Sequence, residues 1–140
     1  MLLNFKSNKF FKRVLFTELC QIEKLVCVYI YFLGWSCFFG LVTSTQILLD
    51  DLSQMKSVYG VWSSGYNVSA GHRTGSHGQR RWNEKDHITL TFDCNNRKFI
   101  IENRRLFWRE AFTINLDLCP FPWKFLTIIK QCKLRIENKS

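Results

Sequence analysis

Two short apolar runs separated by a polar tetrapeptide constrain the fold of this chain more than any other feature. In the first run, apolar and polar side chains alternate from Ile88 to Asp93, the period of two expected of a β-strand that buries one face. The second run, Phe99 to Ile101, is aromatic and β-branched. Between them, Cys94 to Arg97 contains two adjacent asparagines, which tolerate the left-handed backbone of a tight reversal. These residues therefore predict a β-hairpin.

Several further segments of distinctive sequence flank the hairpin. A tryptophan, a charged turn, the strand ITLTFD, a polar turn and the strand KFIIEN follow one another from Trp82 to Asn103. The flanking segments are FGLVTS at 39–44, a Tyr-Gly-x-Trp…Gly stretch at 59–65, AFTINL at 111–116, a proline turn at 120–123 and KLRI at 133–136. In this order, over about residues 29–136, they resemble the motifs of the B30.2/SPRY domain family.

This resemblance implies a fold and a function. The implied fold is all-β, an antiparallel β-sandwich of the concanavalin-like, jelly-roll type. The implied function is a non-catalytic module that binds a peptide or a partner surface through loops at one edge of the sandwich. Many family members recruit substrates for ubiquitin ligases in this way. The chain carries no RING-, B-box- or SOCS-box-like segment, so a ligase role would require another subunit or further sequence.

Length and composition indicate one folded domain. A chain of 140 residues can bury a single core, and a hydrophobic content of 46% excludes wholesale disorder. Aromatic residues make up 16% of the chain, which suits a sandwich core better than a helical bundle rich in leucine and alanine.

The net charge of +9 is concentrated in the second half of the chain. Residues 61–140 hold 14 basic and 7 acidic side chains, against 6 and 4 in residues 1–60. Such a surface could attract an acidic protein, anionic lipid or nucleic acid. The bases occur singly or in pairs and no nucleic-acid motif accompanies them, which favours a soluble basic surface without a specific ligand. A protein or peptide ligand of acidic character is an alternative. A basic nucleic-acid-binding domain remains an alternative.

The stretch from Leu25 to Leu49 contains no Asp, Glu, Lys or Arg, and it has three interpretations. Two buried strands, Val26 to Leu33 and Cys37 to Ser44, could be joined by a turn at 34–36. Alternatively, Leu25 to Val42 is long and apolar enough for the span of a single-pass membrane protein. The many Val, Ile, Tyr and Phe residues and the likeness to the FGLVTS motif favour strands. A cleaved signal peptide is the weakest interpretation, because no cleavage site stands out.

The N-terminal segment carries a different apolar pattern. Apolar residues recur at spacings of three and four, and they predict a short basic amphipathic helix, or an irregular segment, from about Ser7 to Lys24. The residues are Phe11, Leu15, Leu19, Ile22 and Val26. We therefore divide the chain into an N-terminal segment, residues 1–24, and a SPRY-like domain, residues 25–137. The helix could pack on the domain or lie on a membrane surface. Family members usually have a strand here, so the N-terminus could be truncated or divergent.

Candidate binding residues lie in two places. From Ser57 to Arg81 the chain is loop-like, with glycines between aromatic and cationic side chains, and loops on a rigid sandwich commonly carry binding sites. The segment RRLFWRE, residues 104–110, carries residue types enriched at interface hot spots, although a core role for Phe107 or Trp108 is equally reasonable. The predicted partner-binding residues are Trp62, Tyr66, His72, Arg73, Arg81 and Trp108.

No catalytic, metal-binding or cofactor-binding pattern stands out. The six cysteines form no CxxC pair, and several lie in apolar runs, which favours a reducing, cytoplasmic location. His72, His77 and His87 match no common zinc spacing. No nucleophile elbow or local Cys-His pairing is present. We therefore expect no enzyme activity, no metal and no cofactor.

Overall fold

The computed structural model describes residues 2–6, 12–19, 24–47, 49, 51–75 and 81–138. Within these ranges the chain forms ten β-strands and a single 3-10 turn, Leu52–Gln54, and every strand pairing is antiparallel. The strands are β1 Leu2–Lys6, β2 Lys12–Leu19, β3 Lys24–Thr43, β4 Tyr59–Trp62, β5 Asn67–Ser69, β6 His72–Thr74, β7 His87–Asp93, β8 Lys98–Asn103, β9 Trp108–Thr113 and β10 Trp123–Asn138.

Two long strands, β3 and β10, run side by side and belong to both halves of the fold. Along the edge opposite β10, β3 pairs with β4 through Phe38 to Leu41 and with β7 through Lys24 to Tyr29. The outer edge of β10 pairs in the same divided way with β2 and β1. One half therefore continues through β4, β5 and β6, and the other through β7, β8 and β9.

The core lies between these two halves, as the ring contacts show. The Phe92 ring on β7 meets the Phe125 ring on β10 edge to face at 5.9 Å between centroids. Tyr59 on β4 meets Phe112 on β9 at 6.4 Å in the same manner. Side chains from both halves thus fill one hydrophobic core, which is the arrangement of an antiparallel β-sandwich and confirms the predicted fold class.

A second, smaller core covers the opposite face of the β4 half. Phe38 and Val42 of β3 pack there with Leu52 and Met55 of the 3-10 segment, while the intervening Phe39 and Leu41 enter the main core. Because this part of β3 is buried on both faces, its sequence lacks the alternation of a half-exposed strand. This explains the absence of charge at residues 37–43, the second half of the run that suggested a membrane span.

Two facing glycines allow the close approach of β3 and β4. Gly40 and Gly60 are paired in the register, and a Cβ atom on Gly60 would lie 2.3 Å from the carbonyl oxygen of Phe39. A Cβ on Gly40 would lie 2.1 Å from the carbonyl oxygen of Tyr59. No other residue fits either position without displacing the backbone.

The predicted N-terminal helix is wrong where the structure describes this segment. Residues 12–19 form β2, which pairs with Trp123 to Ile129 of β10, and residues 2–6 form β1, which pairs with Lys133 to Glu137. Partners at the other end of the sequence therefore override the helix-like spacing. Residues 7–11 and 20–23 of the predicted helix lie outside the described residues, and the division at residue 24 stays a prediction.

The predicted turn at residues 34–36 is also wrong, because β3 continues through it as one strand of 20 residues. The same strand replaces the alternative of a membrane-spanning helix at residues 25–42. In the described part of the chain, no helix has the length and apolar character needed to cross a membrane. The KLRI motif at 133–136 is part of the long strand β10, which begins at Trp123 and is irregular near Gln131, where φ is 51°.

The central hairpin is confirmed as β7 and β8, and the burial along β7 alternates at every residue. Its turn differs in one detail from the prediction, since Arg97, with φ of 55°, adopts the left-handed conformation in place of an asparagine. The stretch from 57 to 81, expected to be loop-like, contains the three short strands β4, β5 and β6.

Candidate functional site

A groove with a cavity of about 670 Å³ opens beside β4, β5 and β6. It combines aromatic, hydroxyl and charged side chains from segments far apart in the sequence, which the sheet brings together. The lining residues are Ser36, Asp51, Leu52, Ser53, Trp62, Ser64, Tyr66, Val68, Gly71, Arg73 and Lys130. We call this cavity the groove. It includes three of the six predicted binding residues, Trp62, Tyr66 and Arg73.

A tight turn between β4 and β5 places Trp62 and Tyr66 together. The Trp62 N–H donates to the Tyr66 carbonyl at 2.8 Å, and the Gly65 N–H donates to the Trp62 carbonyl at 2.9 Å. Gly65 has φ of 108°, a conformation that side chains other than glycine rarely adopt. The turn is fixed to β3 through Ser63, whose hydroxyl accepts from the Cys37 N–H at 3.0 Å. These hydrogen bonds therefore fix the backbone at both aromatic residues.

A cation lies over each of these aromatic rings. The Arg73 guanidinium carbon is 4.4 Å from the centroid of the Tyr66 ring. The Lys130 Nζ is 5.1 Å from the centroid of the Trp62 ring. Both distances fall within the range of cation–π attraction. The groove thus presents two aromatic surfaces whose cations are held in defined positions.

The electrostatics of the groove are set by these two cations and by Asp51. The Asp51 carboxylate accepts from the Ser53 hydroxyl at 2.7 Å and from the Ser53 N–H at 2.9 Å, and these bonds lower its pKa. It therefore remains ionised and acts as the cap of the 3-10 turn. Burial lowers the pKa of the Lys130 amino group, because the strand position of this residue removes part of its hydration.

The other three predicted binding residues lie outside the groove. His72 is exposed on β6, next to Arg73. Arg81 is exposed, and its carbonyl accepts from Arg105 Nη2 at 3.2 Å. Trp108 is 9% exposed and packs against Trp82 at 6.2 Å between ring centroids, so most of its surface belongs to the core. Arg81 and Trp108 are thus associated with the turn between β8 and β9.

A buried carboxylate organises that second region. Asp86 accepts from the Asn83 N–H and from Asn103 Nδ2, both at 2.9 Å, and forms an ion pair with both Arg105 Nε and Arg105 Nη2. Burial by itself would raise the pKa of Asp86, but the bonds from Arg105, Asn83 and Asn103 outweigh it and lower the pKa. This carboxylate therefore joins the 81–86 loop to the β8–β9 turn.

Sequence reasoning missed Lys130 and the contributions of Ser36, Asp51 and Ser53 to the groove. Lys130 had a detectable signal, because it is a lone cation after the apolar run from Phe125 to Ile129. A charged residue that interrupts a buried strand suggests a special environment. The serines and Asp51 carried no comparable signal, since they reach the groove only through non-local strand pairing.

Two observations bear on chemistry. Burial raises the pKa of the Cys119 thiol to about 12 and places that of Cys37 well above its usual value, so both thiols stay protonated at neutral pH and are poor nucleophiles. Among the described residues, no group of three or more His, Cys, Asp or Glu side chains could hold a metal ion. His77, one of the three histidines considered above, lies outside the described residues.

Comparison with known proteins shows similarity in structure. No family model and no curated protein matches the sequence. The crystal structure of the SPRY domain of human HERC1 superimposes with a TM-score of 0.73 and 10% sequence identity, over 99% of this chain and 89% of that domain. This similarity extends over both halves of the sandwich and includes β1 and β2. The chain therefore has the fold of a SPRY domain.

Proposed function

We propose that this chain is a non-catalytic protein-interaction module that binds an extended peptide of acidic character in the groove. The observation that carries the proposal is the convergence of Trp62, Tyr66 and Arg73 on one cavity of about 670 Å³. A cavity of this size accommodates a few side chains of a peptide. The chain superimposes on a SPRY domain. This fold supports a binding role, because the resemblance to that family implies a module that binds a peptide or a partner surface.

The aromatic residues would supply most of the buried contact area. Trp62 is half-buried and rests on Phe38 at 5.2 Å between ring centroids, so its ring has little freedom to lose on binding. Rings that are already ordered contribute more net affinity than mobile side chains. Leu52 and Val68 extend the apolar part of the groove. An apolar peptide side chain would therefore bind against the Trp62 ring.

Arg73 would select the acidic character of the peptide. Its guanidinium carbon lies over the Tyr66 ring, and the guanidinium N–H groups can donate charge-assisted hydrogen bonds to a carboxylate of the peptide. Among the described residues, Asp51 is the one acidic residue that lines the groove, and its carboxylate is engaged by Ser53. The excess of basic residues in the second half of the chain would add long-range attraction for an acidic partner.

The state of the cysteines bears on the cellular location of the protein. Protonated, buried thiols suit a reducing environment, and we infer a cytoplasmic location. The peptide would belong to another protein, and a ubiquitin-ligase subunit is a possible associate on the strength of the family resemblance alone. His72, Arg81 and Trp108 would extend the binding face only for a ligand that reaches beyond the groove.

The test is selection of a random phage-displayed peptide library on the purified full chain, followed by fluorescence anisotropy with the synthetic consensus peptide. We expect selected peptides to combine Asp or Glu with an apolar residue. Trp62→Ala and Arg73→Ala should each weaken binding about tenfold or more, as truncation of a hot-spot residue does. Binding should also weaken as salt is added.

Lys98→Ala is the matched control, because it removes an exposed cation of β8 that does not line the groove. It should leave the affinity unchanged within about twofold, as expected of a residue outside the contact surface. Equal losses for Lys98→Ala and Arg73→Ala would mean that net charge, and not the groove, governs binding. The proposed function would be overturned if none of the selected peptides lost affinity for the Trp62→Ala chain.

A further inference from the structure

The turn between β8 and β9 presents an aromatic ring that the fold itself does not use. Phe107 is 97% exposed, although the neighbouring Trp108 is buried in the core. A phenylalanine side chain normally stabilises a protein through burial, which this ring does not achieve. The core therefore gives no reason for an aromatic residue at position 107.

The backbone of the turn gives no reason either. Phe107 has φ of 48°, in the left-handed region, where residues with a Cβ atom are disfavoured by about 1–2 kcal/mol. Glycine would relieve this strain and asparagine tolerates it. The chain thus retains a strained and exposed aromatic residue where two other residue types would fold more easily.

The turn that carries Phe107 is held firmly in place. Arg105 is anchored on the buried Asp86 carboxylate, the Leu106 N–H donates to Asn103 Oδ1 at 3.4 Å, and the Phe107 N–H donates to the Arg104 carbonyl at 3.1 Å. The backbone that carries the ring is therefore already ordered, so its ordering adds little to the entropy cost when a ligand binds.

A cavity of about 290 Å³ lies directly beside the ring. Thr89 and Asn103 contribute polar walls, and Trp108 an aromatic one. Arg104 and Arg109 line the cavity and are exposed, and the nearest approach of Arg109 to Glu102 is 4.0 Å, too long for a strong ion pair. The site therefore combines two aromatic rings, a space for one side chain and two cations.

We propose that this turn is a second peptide-docking site, which takes an apolar side chain into the cavity beside Phe107 and pairs flanking carboxylates with Arg104 and Arg109. The site goes beyond the groove, because no described residue lines both cavities. The charges match a peptide with acidic residues on both sides of an apolar one. A lipid surface fits less well, because it would leave the cavity empty and would bring anionic headgroups against Glu102.

The experiment repeats the library selection on the full chain and sorts the selected peptides with two variants, Phe107→Gly and Tyr66→Ala. We expect one class of peptides whose affinity falls about tenfold or more in Phe107→Gly, the loss typical of a hot-spot residue, and is unchanged in Tyr66→Ala. Arg104→Ala should weaken the same class. Ile47→Ala is the matched control, since it removes another largely exposed apolar side chain and should change nothing.

Phe107→Asn provides a second variant that suits the left-handed backbone, and it should lose the same peptides. Thermal unfolding should show that neither variant is less stable than the original chain. A marked drop in stability would mean that the ring packs on its own chain, and that would overturn the proposal. It would also be overturned if no selected peptide depended on Phe107, or if only phosphatidylserine vesicles showed Phe107-dependent binding. Failure here would leave peptides that depend on Trp62 and Arg73 unaffected, so the proposed function is tested separately.

Discussion

The groove and the β8–β9 turn use the same residue types, aromatic rings and arginines, but they are built in opposite ways. The groove collects side chains from β3, the 3-10 segment, the strands β4 to β6 and β10. The turn is made almost entirely from residues 102–109, with Asp86 as its support. The groove therefore depends on long-range strand pairing, and the turn depends on hydrogen bonds within residues 103–107 and on the ion pair between Asp86 and Arg105. Substitutions should separate the two accordingly.

The largest effect on stability is expected from Gly60→Ala, which disrupts the pairing of β3 with β4 on which the groove depends. Its Cβ would meet the Phe39 carbonyl at 2.3 Å and the Gly40 Cα at 2.7 Å, and neither backbone can move without separating β3 from β4. We expect a loss of about 3 kcal/mol or more in the free energy of unfolding, measured by urea titration. The control is Thr113→Ala, at an exposed position of β9, and it should change the free energy of unfolding by no more than about 0.5 kcal/mol. A Gly60→Ala protein of normal stability would contradict the close approach of these strands.

A smaller effect is expected from Asp86→Asn, which attacks the support of the turn. The side chain of Asp86 is 1% exposed, and that of Arg105 is 43% exposed. Loss of the carboxylate should therefore cost less than breaking a fully buried pair, about 2 kcal/mol. Amide hydrogen exchange should accelerate at residues 104–107, and peptide binding in the groove should persist. If Asp86→Asn also weakened peptide binding in the groove, by a free energy similar to its loss of stability, the two regions would not be separable.

The same carboxylate predicts a dependence on pH. Its hydrogen bonds from Arg105, Asn83 and Asn103 outweigh burial and lower the pKa of Asp86 in the folded state below the unfolded value of about 3.9. Its contribution to stability is therefore complete above the unfolded pKa and is lost as the pH falls through the folded pKa. Urea titrations from neutral pH into the acid range should show a steeper loss for the original chain than for Asp86→Asn. Parallel curves would show that Asp86 does not titrate as described.

The smallest effect on stability is expected from Phe107→Gly. Relief of the left-handed strain should leave the free energy of unfolding unchanged or raise it by up to about 1 kcal/mol, despite the loss of an aromatic side chain. Arg97→Gly, at the left-handed position of the β7–β8 turn, is a matched comparison and should behave in the same way. A loss of more than about 1 kcal/mol in Phe107→Gly alone would place the ring in the stabilising contacts of the fold.

The contrast between local and long-range construction also explains what the sequence could predict. The alternation in β7 lies within seven consecutive residues, so the hairpin was predictable from its own pattern. The long strand β3 was not, because Gly34-Trp35-Ser36 looks like a turn and only the pairing with β10 keeps it extended. In the N-terminal segment, a spacing of three and four suggested a helix, whereas pairing with β10 makes a strand.

The candidate site shows the same division. Trp62, Tyr66 and Arg73 could be proposed from sequence, because aromatic and cationic residues stand among glycines in one stretch of the chain. Their grouping with Lys130 and Asp51 required the pairing of β3 with both β4 and β10. The opposite environments of Phe107 and Trp108 were also out of reach, since adjacent aromatic residues differ here only through the left-handed backbone at position 107.

The central claim, that the groove binds an acidic peptide, is tested most directly by amide chemical shifts recorded while the selected consensus peptide is titrated into the full chain. We expect the largest shifts at Trp62, Ser64, Tyr66 and Arg73, and we expect them to saturate with the affinity measured by anisotropy. The same titration of Trp62→Ala should produce no saturable shifts there. Saturable shifts confined to residues outside the groove, with Trp62 and Arg73 unmoved, would contradict the account.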